Sequence, residues 1–188
     1  MSPGLVRAFA LGGVASTLLI VALGGGAQAD PAPVTADFLV VARMLQSPRC
    51  QNCHPVGDAP LVGDNGRRHA MNVSRRSPPS GLPCATCHRT GNAPVANGPP
   101  GVPGWHMPSA DLPMVFEGRT PRALCEQLKD PARNGGKSLE ALREHFASDP
   151  IVLWGWSPGP GRTLPPMPHA ELVKHVGDWI AAGAPCPQ

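Results

Sequence analysis

Two five-residue frames decide how this chain is read: "CQNCH", Cys50 to His54, and "CATCH", Cys84 to His88. Each sets two thiols three positions apart and puts a histidine directly after the second. C-x-x-C-H is the frame of covalent haem attachment. The two thiols add across the vinyl groups of the porphyrin, and the adjacent histidine is held under the ring as the proximal iron ligand. A structural zinc would use the same four cysteines, but the gap between the pairs is longer than in a zinc ribbon. Disulfides or a thioredoxin-like redox pair are the other uses, yet no βαβ pattern surrounds either frame. None of these accounts for a histidine after both pairs. The frames therefore predict two haem c groups, attached at Cys50, Cys53, Cys84 and Cys87, with His54 and His88 as proximal ligands.

The rest of the composition agrees with a chain built around large cofactors. Among its 188 residues are 25 Pro and 22 Gly, but no Tyr and only 4 Phe. A chain so rich in turns and so poor in large side chains is short of conventional core, and porphyrins would supply the missing packing surface. The expected fold is mainly α with extensive irregular loops, cytochrome c-like, with two covalent haems forming much of the core. The formal net charge of +3 is close to balance and gives no reason to expect nucleic acid as a partner.

Residues 1–29 read as a secretory signal peptide: Arg7 near the start, an apolar run from Ala8 to Leu23, and Ala27-Gln28-Ala29 before the cut. An uncleaved anchor is the competing reading of the same run. Cleavage leaves residues 30–188 as a single di-haem domain, periplasmic and without stable membrane insertion. Within it, residues 30–119 form the haem-binding region and residues 120–188 a helical C-terminal part. Thr35 reads as the N-cap of a helix running to about Gln46, which Pro48 ends. Thr120 with Pro121 opens a second helix, "SLEALREHF" a third, and Pro168 to Gly183 brackets a last one with an apolar stripe of Leu172, Val176, Trp179 and Ile180. The segment "VLWGWSPGPGRTLPPMP" reads as loop, and residues 55–119 show little periodicity.

The two frames head a short internal repeat. "CHPVGDAPLVGDNG" and "CHRTGNAPVANGPPG" share Gly, an Asp or Asn, and Ala-Pro at matching places. A loop later each unit offers a histidine and a methionine: His69 with Met71, and His106 with Met107. A second His or a Met sulfur closes the remaining coordination position of a haem used for electron transfer. His69 and His106 are the proposed sixth ligands, with Met71, Met107 and Met167 as rivals. Which of them serves which haem stays open, and His69 lies between the two attachment sites. Met114 reads as packing, while His145 and His175 sit on helices among charged neighbours and read as surface residues. The basic cluster Arg67, Arg68, Arg75 and Arg76 reads as a solvated loop or as a patch that steers an acidic partner. The two remaining cysteines, Cys125 and Cys186, pair most simply with each other in an oxidising compartment, tying the C-terminal tail to an earlier helix; two free thiols are the alternative.

At the level of longer motifs, "HAMNV", "MVFEGRTP", "LCEQLKDPARNGGK", "WGWSPGPGR" and the terminal "GAPCP" resemble small exported di-haem cytochromes c of the bacterial group labelled isoquinoline 1-oxidoreductase subunits. The resemblance spans nearly the whole of residues 30–188. It implies association with an exported molybdenum hydroxylase and transfer of its electrons toward a respiratory chain. The chain departs from the catalytic part of that label, being too short for a molybdopterin domain and lacking a ferredoxin cysteine set. The implied role is thus electron acceptor, relaying electrons from a hydroxylase or other dehydrogenase. A di-haem peroxidase, with one haem position left open, is the alternative, although such enzymes resemble pairs of full cytochrome domains.

Overall fold

The apolar stripe expected of the last helix meets an apolar face of the first. The computed structural model of the chain describes Met1 and residues 33–188; the signal-peptide reading of residues 1–29 lies outside the described residues. Helix α1, Pro33–Leu45, buries Phe38, Val41, Ala42, Met44 and Leu45, a helical three-four spacing that makes one apolar face. Helix α7, His169–Ala181, buries Leu172, Val176 and Trp179 at the same spacing. The Phe38 and Trp179 rings meet with centroids 4.8 Å apart, and the His175 ring nitrogen Nδ1 lies 2.7 Å from the Asp37 carboxylate. Helices α3, Pro121–Lys129, and α5, Leu139–Ser148, complete the core with Leu124, Leu128, Leu142 and Phe146.

Caps explain most of the helix starts. The Thr120 hydroxyl accepts from the Ala123 N–H at 3.1 Å and the Ser138 hydroxyl from Ala141 at 3.2 Å, each satisfying a donor that a first turn leaves unpaired. Two short helices arise by the same device, the second running into a segment that the sequence reads as loop. Helix α4, Pro131–Asn134, starts at Asp130, and helix α6, Pro150–Trp154, starts at Asp149, whose carboxylate accepts from Ile151 N–H at 2.8 Å. At the N-terminal end the expectation fails: α1 begins at Pro33, so Thr35 is inside the helix and buried instead of capping it. A proline suits a first turn, whose N–H groups have no partner within the helix. Pro48, expected only to end α1, instead opens helix α2, Pro48–Gln51.

Residues 52–120 contain no α-helix. They hold a two-stranded hairpin, β1 Leu61–Val62 against β2 Arg67–Arg68 with Leu61 opposite Arg68, and one 3-10 turn, Cys84–Thr86. Polar side chains reaching backbone carbonyls take the place of a ladder. Arg75, buried, donates to the Pro55 and Pro108 carbonyls at 3.1 Å each. The Asn92 carbonyl oxygen accepts from Gly101 N–H and from the Trp154 indole, at 3.2 and 2.7 Å. The C-terminal tail is held in three ways. Cys186 is disulfide-bonded to Cys125 with Cα atoms 5.6 Å apart, Trp179 Nε1 donates to the Pro185 carbonyl at 3.0 Å, and Lys129 donates to the Ala184 carbonyl at 2.7 Å. Among the described residues no helix is long and apolar enough to cross a membrane.

Candidate haem-binding sites

Both C-x-x-C-H frames fold as one helical turn with the same internal bonds. In the first, carried by α2, the N–H groups of Cys53 and His54 both reach the Cys50 carbonyl at 3.2 Å. In the second, the N–H groups of Cys87 and His88 reach the Cys84 carbonyl at 3.2 and 3.0 Å. The turn sets the two cysteines and the histidine of each frame side by side. A distant carbonyl then orients each imidazole: Nδ1 of His54 lies 2.7 Å from the Met114 oxygen, and Nδ1 of His88 lies 2.7 Å from the Pro100 oxygen. A carbonyl only accepts, so each neutral ring carries its proton on Nδ1 and leaves the Nε2 lone pair for a metal. An aromatic ring lies flat against each imidazole, Phe116 on His54 with centroids 3.8 Å apart and Trp105 on His88 at 5.0 Å.

The surroundings of the two frames differ. Cys50, Cys53 and His54 form part of the wall of a cleft partly open to solvent. Its floor is the helical core itself, including Met44, Leu128, Leu142, Phe146 and Leu172. Burial pushes the Cys50 and Cys53 thiols up to about 11 and the His54 imidazole down to about 4, because an apolar surround disfavours the charged form of each. His54 is therefore a neutral base at ordinary pH, the form that binds metal. Around the second frame Cys87 is exposed, and Leu82 and Val95, which flank the frame in sequence, are 43% and 58% exposed. Burial lowers His88 and raises Cys84.

One buried side chain tests whether the cleft suits haem. Arg49 is 6% exposed and lines the cleft. Its Nη2 pairs with Asp64 and also donates to the Gly63 carbonyl at 3.3 Å, while Nε and Nη1 have no protein partner. Buried donors on a charged group leave a desolvation penalty of about 1–3 kcal/mol each unless an acceptor arrives. Haem carries two propionate carboxylates, anions of the kind those donors lack. The apolar floor, the paired thiols, the free Nε2 and the orphaned guanidinium donors all fit the group. A bare ion is a different matter: among the described residues no three His, Cys, Asp or Glu side chains converge to hold one.

The remaining candidate ligands fall in distinct places. His69 comes within 6.0 Å of His88, ring centre to ring centre, and its own Nδ1 lies 2.8 Å from the Ala70 carbonyl. His106 lines the first cleft, its Nδ1 2.7 Å from the Gly104 carbonyl. Met71 is 82% exposed with a positive φ of 60°. Met107 is half-buried and lies away from the cleft wall, while Met167 packs on the core and its carbonyl accepts from Trp156 Nε1 at 2.8 Å. Met114, expected to be packing, touches both core and cleft.

Three sequence expectations need correcting. His145 is half-buried and lines the first cleft, its Nδ1 3.2 Å from Asp149. The signal was available, since it lies three residues after Leu142 and directly before Phe146, at the border of the apolar face of α5. His175 is partly buried against Asp37 and joins two helices instead of facing water alone. The basic cluster is not one surface: Arg75 is 4% exposed, while Arg67, Arg68 and Arg76 are exposed and Arg76 sits 3.4 Å from Asp58.

The loop that positions His88 has no room to spare. A methyl group at Gly101 would fall 2.2 Å from the Arg89 oxygen and 2.7 Å from the Gly91 oxygen. Gly101→Ala is therefore expected to displace the neighbouring Pro100 carbonyl and free the His88 ring. The stability loss should be about 1–3 kcal/mol, read by denaturant unfolding, with loss of the slowly exchanging His88 Nδ1 proton in NMR spectra. An unchanged proton signal would refute the link. Neither a protein-family model, nor a curated protein, nor a solved structure matches the chain.

Proposed function

We propose that the chain is an exported electron-transfer protein carrying two covalently attached haem c groups. Cys50 with Cys53 and Cys84 with Cys87 are the attachment thiols, and His54 and His88 the proximal ligands. His69 and His106 close the sixth positions. The observation that carries this reading is the repeated geometry of the two frames, in which a carbonyl fixes Nδ1 and leaves Nε2 free beside a pair of thiols. Haem supplies reversible one-electron chemistry at iron when bound. The chain's own part is to hold the rings, set their environment by burial, and leave one edge reachable by partners. The exposed second frame is the natural docking point, and the exposed Arg67 and Arg68, just before His69 in sequence, suit an acidic surface. The Cys125–Cys186 disulfide supports export to an oxidising compartment such as the periplasm. The partner is a redox protein of the hydroxylase or dehydrogenase class, which hands electrons on toward a respiratory chain.

The test is spectroscopic. Protein made in a host that matures c-type cytochromes should carry two haems by mass and show two low-spin six-coordinate irons. Neither should bind carbon monoxide or react with peroxide, and the potentials should lie below those of histidine–methionine sites. A high-spin haem that binds carbon monoxide would overturn the relay in favour of peroxidase chemistry.

A further inference from the structure

We infer that the two sixth ligands are exchanged between the repeat units: His69 serves the second frame with His88, and His106, which follows the second frame, serves the first with His54. The inference rests on the di-haem reading and adds to it a definite wiring of the two sites.

The spacing of His69 and His88 is the central fact. Their ring centres are 6.0 Å apart with planes at 55°, and both Nδ1 atoms are occupied by carbonyls, Ala70 for one and Pro100 for the other. Two imidazoles on opposite sides of one metal have centres roughly 6 Å apart, about 2 Å for each metal–nitrogen bond and about 1 Å from nitrogen to ring centre. Both rings have their Nε2 lone pairs to offer, as a shared iron requires.

Backbone bonds explain why His69 reaches the second frame and not its own. The hairpin β1–β2 turns the chain back, and His69 N–H extends it by donating to the Pro60 carbonyl at 2.9 Å. Leu61 N–H bonds the Asn52 carbonyl at 2.9 Å, so the hairpin is anchored on the first frame while its end projects beyond it. His69 is absent from the wall of the first cleft, and His106 is on it. The dipeptide Trp105-His106 straddles the two sites, Trp105 lying flat on His88 and His106 facing the cleft of His54. Neighbouring residues in extended chain point to opposite sides, which gives one to each site. Of the methionine rivals, Met71 is exposed, and neither Met107 nor Met167 forms part of the first cleft's wall.

The experiment compares His69→Ala and His106→Ala in two full-length proteins. One is the native di-haem chain; the other is C84A/C87A, which keeps only the first attachment site. In the native chain each substitution should turn half of the haem iron high-spin in electron paramagnetic resonance and optical spectra. In C84A/C87A, His106→Ala should turn all of it high-spin and His69→Ala none. His69→Met guards against unfolding, since it should give the far-red sulfur-to-iron band in the native chain and no such band in C84A/C87A. A high-spin haem in C84A/C87A carrying His69→Ala would overturn the exchange while leaving the di-haem reading intact. Loss of low-spin iron there with His145→Ala but not His106→Ala would overturn the assignment of the first site. Absence of covalent haem from the unsubstituted protein would instead sink the reading on which the exchange rests.

Discussion

Replacing Cys50 and Cys53 together with alanine is expected to damage the protein far more than replacing Cys84 and Cys87. On the di-haem proposal, both double variants should lose one covalent haem by mass spectrometry. The first frame, however, opens on a cleft whose floor includes Leu128, Leu142 and Leu172, the residues where α3, α5 and α7 converge. Leaving the cleft without a porphyrin against its apolar wall forfeits burial on the order of 4 kcal/mol. The orphaned Arg49 donors add an electrostatic penalty. Total stability of a domain this size is roughly 5–15 kcal/mol, so the first variant should keep its far-ultraviolet helix signal yet lose near-ultraviolet dichroism, as loosely packed states do. At the second frame Cys87 is exposed and few core side chains are near. There the loss should stay within about 1 kcal/mol, typical of surface changes. Equal losses in thermal unfolding for the two variants would contradict the asymmetry.

Breaking the disulfide should have the next largest effect. Cys125 and Cys186 close a loop with a sequence separation of 61, and fixing the ends of such a loop in the unfolded chain is worth about 4 kcal/mol on the chain-entropy account. The pair Cys125→Ser with Cys186→Ser is expected to lower the thermal midpoint by roughly 10 °C. On the di-haem proposal the haem spectra should be unchanged, because neither Cys125 nor Cys186 is on the cleft wall. The Lys129 and Trp179 bonds to the tail remain, so the tail should loosen and not detach. A shift of under about 2 °C would mean that those bonds already restrain the tail fully, against the entropic account.

The parts of the molecule readable from sequence are those written in short range. A C-x-x-C-H frame is five consecutive residues, and the caps Thr120 and Ser138 act on N–H groups three positions away. The apolar stripes of α1 and α7 follow from helical period alone. What the sequence could not supply is where distant loops meet. Nothing local says that the Met114 and Pro100 carbonyls will hold His54 and His88. Nothing local brings His69 to His88, since their meeting depends on the hairpin and on Arg75 drawing Pro55 and Pro108 together. Arg75 misled for a physical reason: an arginine beside a polar loop is usually solvated, and only the Pro55 and Pro108 carbonyls make its burial tolerable. His145 was misread because its charged neighbours outweighed its place on the rim of an apolar face.

The depth of Cys50 and Cys53 also sets an order of events in the making of the protein. With their thiols pushed up to about 11, only about one in ten thousand is a thiolate at neutral pH, and thiol chemistry of every kind runs mainly through the thiolate. Half-buried on the wall of a partly open cleft, both sulfurs are reachable in the folded chain but slow to oxidise and equally slow to be modified on purpose. Whatever is joined to the first frame is therefore expected to react faster while the helices are still apart. The exposed Cys87 carries no such deadline. On the di-haem proposal, the inner frame is thus expected to mature best before the helices pack and the outer one at any time.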